Sequence, residues 1–290
     1  MKILVTGRGG AGSWAIRGDQ IGAALGADVA PMATLDAMRA ADVILAVKRV
    51  PPQLLADIRR SGRPWVYDIV DAYPQPACTS WSRADAIAWV QALLADLQPT
   101  AVIWPTERMR DDVCGGAAGA GAVVHHHCRP GIERNPVRDR IGVLGYEGCT
   151  DYLAGWQTAI AQECRRLRLQ FVANPARLAD VDIVLALRGP AHNGYVQRHW
   201  KSGVKLANAH GSGTPFVGGP ECGYRETATG GEAWVESDDD LRAALTQLSA
   251  AETRRAVAAA FLAAARTVDT AAAEVRTALE EAICSTAPRS

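Results

Sequence analysis

Lys201-Ser-Gly-Val-Lys205-Leu-Ala-Asn208 sets two lysines and an amide one helical turn apart, ahead of a glycine-rich turn, Gly211-Ser-Gly213-Thr-Pro215, and the apolar pair Phe216-Val217. The chain's only lysines are Lys2, Lys48, Lys201 and Lys205, so half of them fall in this segment. A helix starting near Ser202 directs its unpaired N–H groups and Lys205 at one point, which suits an anion such as a diphosphate. Asn208, three residues on, shares that helix face. Gly211 and Gly213 then close the helix, and Thr214-Pro215 opens the next strand. Glycine after a helix is common whatever a protein does, so an ordinary αβ unit is the competing reading.

Other residues with chemical potential stand at the ends of apolar runs. Arg188-Gly189 follows Ile183–Leu187 and is placed to pair bidentately with a phosphate. The loop after it, Pro190 to Trp200, carries His192, Asn193, Arg198 and His199. Asp68 and Asp71 close the run beginning at Trp65, as candidate general bases or as turn caps. His125-His126-His127 ends another run. Side chains alternate along a strand, so His125 and His127 share a face, but no further ligands cluster with them and no metal is expected. A histidine there is suited to donating to a hydroxyl or a phosphate. Gly7-Arg-Gly-Gly-Ala-Gly12 matches G-x-G-x-x-G directly after Ile3–Thr6, the dinucleotide fingerprint. That fingerprint also needs an acid ending the second strand about 20 residues on. The region there ends in Ala30-Pro31-Met32, with Asp28 before it and Asp36 beyond.

The elements that must hold these residues alternate between strand and helix, which predicts doubly wound α/β layers. Strands are expected at 3–6, 43–47, 65–70, 101–104 and 122–125, with helices over 16–25, 52–60 and 85–97 between them. Arg129 to Asp139 has no periodicity and holds two prolines, and marks a boundary between a domain at 1–135 and another at 136–268. The pattern restarts with strands at 141–146, 169–172, 183–187, Phe216 and Trp234, and helices over 150–166 and 238–248, the latter capped by Ser237. Residues 251–283 read as helical throughout, with 269–290 a final helix and tail.

Composition sets outer limits. The chain has 290 residues with 31 basic and 31 acidic side chains, which argues against a general polyanion binder. Its seven cysteines are scattered and include no C-x-x-C pair, so neither a disulfide framework nor zinc is indicated and a reducing cytoplasm is expected. No signal h-region or membrane-spanning apolar run is read, and nothing indicates an oligomeric state.

The run from Lys201 to Gly219, with Glu221, Tyr224, Glu226 and Trp234 to Leu241 after it, resembles the donor-binding half of GT-B glycosyltransferases. Asn208-Ala209 stands where those enzymes carry a glutamate-alanine pair, and the partner glutamate upstream is absent. The resemblance implies two Rossmann-like domains facing across a cleft, with a UDP- or GDP-linked sugar as co-substrate and no permanently bound cofactor. It further implies donor contacts from Gly10, Gly12, Tyr146, Gly148, Arg188, Arg198, Lys201, Lys205, Asn208 and Glu226. Ser13–Gly18 is similar to the segment that follows the first glycine loop in such enzymes, which makes Arg17 an acceptor contact. Asp68, Asp71, His125 and His127 are then the candidates for catalytic base. The implied acceptor is a hydroxyl of a glycan, a lipid or a hydroxymethylated DNA base. Two rivals stand beside this reading: an NAD(P)-dependent oxidoreductase using the Gly7–Gly12 loop, and a sugar-nucleotide-binding module without activity.

Overall fold

The computed structural model describes residues 1–10, 12–71, 81–117 and 121–286. Ala11 of the first glycine loop, Cys78, and 118–120 of the Gly115–Gly121 run lie outside them. Among the described residues, one compact unit comprises those up to 125 together with 268–286, and the other comprises 126–267.

The first unit opens with β1 (Ile3–Gly7) and α1 (Gly12–Trp14), which runs through a π-helical stretch, Ala15–Gln20, into α2 (Ile21–Leu25). The helix thus begins four residues before the expected Ile16. Next come β2 (Asp28–Val29), α3 (Leu35–Ala40), β3 (Val43–Val47), α4 (Pro52–Ser61), β4 (Trp65–Asp68), α5 (Arg83–Leu97), β5 (Ala101–Trp104), α6 (Glu107–Cys114) and β6 (Ala122–Val123). All six strands are parallel, in the order β2-β1-β3-β4-β5-β6. Every residue of β1 and β3 is buried, as continuous apolar runs require when helices cover both faces of a sheet.

The second unit contains β7 (Val143–Tyr146), α7 (Gln157–Leu167), β8 (Gln170–Ala173), β9 (Ile183–Ala186), α8 (Tyr195–His199), α9 (Val204–Ser212), β10 (Phe216–Gly218), α10 (Cys222–Arg225), β11 (Ala233–Trp234), α11 (Asp238–Gln247) and α12 (Ala251–Ala264). Its sheet is also parallel, ordered β11-β10-β9-β7-β8. In both sheets the first strand lies between the second and the third. The crevices at the strand ends of β1/β3 and β7/β9 are therefore topological switch points, where open α/β sheets place ligands.

Further features differ from expectation. The single helix over 150–166 is instead a 3₁₀ turn, Thr150–Leu153, followed by α7. It breaks because Gly155 turns left-handed (φ +98°) and the Trp156 indole donates to the Arg188 carbonyl at 3.0 Å. The C-terminal helix is interrupted at 265–267, where the Arg266 carbonyl accepts from the Cys128 N–H at 2.9 Å. Beyond the break, α13 (Val268–Thr286) sets Ala271, Val275, Ala278, Leu279 and Ala282 at helical spacing into the first unit's core with Ile3, Val5 and Leu45. The division between units accordingly falls at His125/His126, ten residues before the expected boundary, and α13 is part of the first unit. By length and composition the stretch Ala251–Thr286 is apolar enough to cross a membrane, although α13 uses its apolar side in that core.

Candidate functional site

In the second unit, four loops at the strand ends bring charge together. Past β7, Gly148 adopts φ +127°, and Asn174 clamps it: the Gly148 N–H donates to Asn174 Oδ1 at 2.7 Å, and Asn174 Nδ2 donates to the Gly148 carbonyl at 3.0 Å. Lys205, the second residue of α9, holds its Nζ 4.1 Å from the centroid of the Tyr146 ring. The left-handed φ of Gly148, rather than a shortage of space beside that Nζ, is what favours a glycine there. After β9, Arg188 Nε donates to Glu221 Oε1 at 2.8 Å, and the two side chains are only 7% and 5% exposed. Glu221 follows β10 and caps α10.

Burial dominates the electrostatics of this group. Burial pushes the Glu221 carboxyl up, against the opposing pull of Arg188, Lys205 and Lys201. Its Oε2 is buried without a hydrogen-bond partner. The Lys205 ammonium falls from 10.5 to about 7, first through desolvation and then through repulsion by Arg188, with Glu221 and Glu147 opposing. Arg188, Lys205 and Lys201 all act on the Glu221 carboxyl, and Glu147, bound by Arg129 at 2.9 Å, acts on Lys205 as well. A desolvated cation is costly unless an opposite charge joins it, and a bound anion would restore the Lys205 proton. Beside the cluster lies a cavity of about 100 Å³ lined by Trp156, Leu187, Arg188, Asn193, Arg198 and Glu221. At its edge Arg198 pairs with Glu236 at 3.1 Å.

Not all the expected donor contacts join this group. Asn208 is committed at both ends of its amide: Oδ1 accepts from the Arg129 N–H at 3.0 Å and Nδ2 donates to Glu147 Oε2 at 3.3 Å. It ties the Arg129 loop to the strand-end loop after β7, where the resemblance implied a donor contact. Glu226 is the C-cap of α10, and Glu221, at the other end of that helix, is a buried carboxylate. Sequence reasoning missed Glu221 as a site residue. The available signal was its position after β10, equivalent to Arg188 after β9 and Gly148 after β7.

The first unit's switch point has a different character. Arg17 is fully buried and its Nε donates to Asp68 Oδ2 at 2.7 Å, while Asp68 Oδ1 accepts from the Val70 N–H at 3.2 Å. Both carboxylate oxygens of Asp68 are therefore engaged, and Arg17 is enclosed, away from any acceptor in solution. Lys48, in a left-handed turn at φ +58°, pairs with Asp71 and donates to Ser13 Oγ at 3.1 Å. Gly10 adopts φ +77° with open space about it, and Gly12 opens α1. The strand β6 ends at Val123, so His125, His126 and His127 follow it rather than alternate along it; His126 and His127 are buried. Among the described residues no group of three His, Cys, Asp or Glu side chains has metal-holding geometry. Asp28 opens β2 in register with Leu4 and pairs with Lys2 at 3.6 Å. Pro31, not an acid, packs on Gly9.

No family model and no curated protein matches the chain. Solved structures do. The Anabaena protein HepE, in complex with UDP-glucose, is similar over 97% of this chain and 100% of its own at 15% identity and a TM-score of 0.63. AviGT4, a glycosyltransferase involved in avilamycin A biosynthesis, matches over 99% of both chains at 14% identity and a TM-score of 0.61. A Listeria monocytogenes protein assigned as a UDP-N-acetylglucosamine 2-epimerase matches over 99% of this chain and 98% of its own at 11% identity and a TM-score of 0.59. At these identities the likeness establishes the fold, the GT-B type with two Rossmann-like units, over almost the entire chain.

Proposed function

We propose that this protein is a glycosyltransferase that moves a sugar from a nucleotide diphosphate donor to a hydroxyl acceptor. The observation that carries the reading is the Lys205 ammonium at the β7/β9 switch point, desolvated over the Tyr146 ring and repelled by Arg188, whose proton a bound anion would hold in place. A diphosphate set against Lys205 and Arg188 supplies that negative charge. As the glycosyl bond breaks, charge develops on the departing phosphate, and fixed cations in a desolvated site stabilise it there. Lys205 is half-protonated near pH 7 and takes up a proton as the anion binds. Glu221 orients the Arg188 guanidinium through Nε, and its second oxygen is buried without a hydrogen-bond partner.

The oxidoreductase reading is weaker because Ala30, Pro31 and Met32, beside the first glycine loop, offer no carboxylate to an adenosine ribose. Thermal-shift measurements with UDP, GDP and NAD separate the possibilities. Stabilisation by UDP or GDP is expected, and stabilisation by NAD alone would overturn the assignment. HepE, which was crystallised with UDP-glucose, makes UDP-glucose the first donor to try. Turnover is then read by NMR against glycan, lipid and hydroxymethylated DNA acceptors. A DNA acceptor predicts binding that weakens steeply with salt. Donor binding without transfer, hydrolysis or epimerisation would identify a binding module instead. Consistent with the absence of a disulfide among the described cysteines, we place the protein in the cytoplasm, to be checked by cell fractionation.

A further inference from the structure

Next to the Arg188–Glu221 pair lies a thiol–imidazole pair that sugar transfer does not use. Cys222 follows Glu221 directly, and its Sγ is 3.1 Å from His199 Nδ1 at the end of α8. Both residues are partly exposed. The imidazole is held in place: its ring lies 4.4 Å from the Tyr195 ring, and Trp200, the next residue, is fully buried. The thiol's backbone is equally fixed. A Cβ on Gly223 would fall 2.1 Å from the Lys201 carbonyl, so the start of α10 presses against the segment that carries Lys201 and leads into α9. An adduct on Cys222 therefore stands beside both Glu221 and Lys201.

We propose that Cys222 is a modification site, a thiol activated by His199 that exchanges with low-molecular-weight disulfides, and that the resulting mixed disulfide closes the nucleotide-sugar site. The S–H proton passes to His199 Nδ1, and the thiolate attacks one sulfur of the incoming disulfide. The new S–S bond forms as the old one breaks, and the departing thiolate takes the proton back from the imidazolium. One disulfide and one thiol enter, and one of each leaves. Among the other cysteines, burial pushes the thiols of Cys114, Cys128 and Cys164 up, while Cys149 and Cys284 are exposed and serve as references for accessibility alone.

The part concerning closure rests on the donor reading; the reactivity of the thiol does not. The full chain is incubated with glutathione disulfide at pH 7, and adducts on each cysteine are followed by peptide mass spectrometry. Cys222 is expected to react at least about tenfold faster than Cys149 or Cys284. His199→Ala and His199→Asn should bring it down to their rate, with circular dichroism confirming that each variant is folded. UDP should protect Cys222, the adduct should abolish stabilisation by UDP, dithiothreitol should restore it, and Cys222→Ser should keep UDP binding while losing sensitivity to the disulfide. Reaction at the reference rate, or a rate indifferent to His199, overturns the inference. If UDP fails to stabilise even the reduced protein, the donor reading falls while the measured rates still decide the fate of the thiol. If UDP binds and the adduct leaves its binding intact, closure of the site is refuted.

Discussion

The two sheets share one strand order, yet their switch points handle charge in opposite ways. At β1/β3 two cations pair with carboxylates, Arg17 with Asp68 and Lys48 with Asp71, although the two terminal guanidinium nitrogens of Arg17 are buried without a hydrogen-bond partner. At β7/β9 the Lys205 ammonium is desolvated beside Arg188 and over the Tyr146 ring, and its pKa falls to about 7. A shared strand order thus holds paired cations in one unit and a proton-losing lysine in the other, and the second is the arrangement that a bound anion would relieve.

The largest effect that tests this contrast belongs to the side with the paired cations. Arg17→Ala leaves Asp68 buried without its partner and should cost about 3–5 kcal/mol of stability, measured by urea denaturation, whereas an apolar pair replacing both residues should recover most of it. A small loss in the single variant would show that the crevice at β1/β3 is not closed by this pair. Next, Lys205→Ala should weaken UDP about 100-fold in calorimetry, roughly 2.7 kcal/mol, with the fold intact. In the same titration Lys48→Ala should stay within about twofold of the parent protein; equal losses in the two would erase the distinction between the units.

The pH dependence follows with a smaller effect. Because the folded value of Lys205 is lowered to about 7 from 10.5, an anion that needs the ammonium binds with constant affinity below pH 7 and loses up to about tenfold per pH unit above it. In the ligand-free protein the sign reverses. The unfolded chain holds that proton between pH 7 and 10.5 while the folded one does not, so the Lys205 contribution to stability rises with pH across this window, and Lys205→Met should flatten it. Smallest of all, Ser237→Ala removes one side of the α11 capping box and should cost about 1 kcal/mol by denaturation without touching UDP affinity.

What could be read from the chain and what could not divide along physical lines. β3 and β9 were legible because runs such as Val43–Val47 and Ile183–Ala186 are buried on both faces and leave no alternation to misread. The end of α9 was legible in Gly213, which takes the left-handed φ of +68°, and the start of α11 in Ser237 with Asp240. Local rules of this kind need only neighbouring residues. Glu221 was opaque because its burial depends on Arg188, 33 residues earlier. Asn208 matched a glutamate's place in the motif, but its amide reaches back 79 residues to the Arg129 backbone. The break before α7 likewise depends on an indole finding a distant carbonyl.

The closing helix has a consequence for how the molecule is made. The middle of the polypeptide, 126–267, contains all of its own sheet, whereas the core of the opening segment is completed by α13, which is synthesised after that middle portion. Until α13 has been made, the nascent amino-terminal sheet lacks the alanine-lined cover that Ala271, Ala278 and Ala282 bring to Ile3 and Val5.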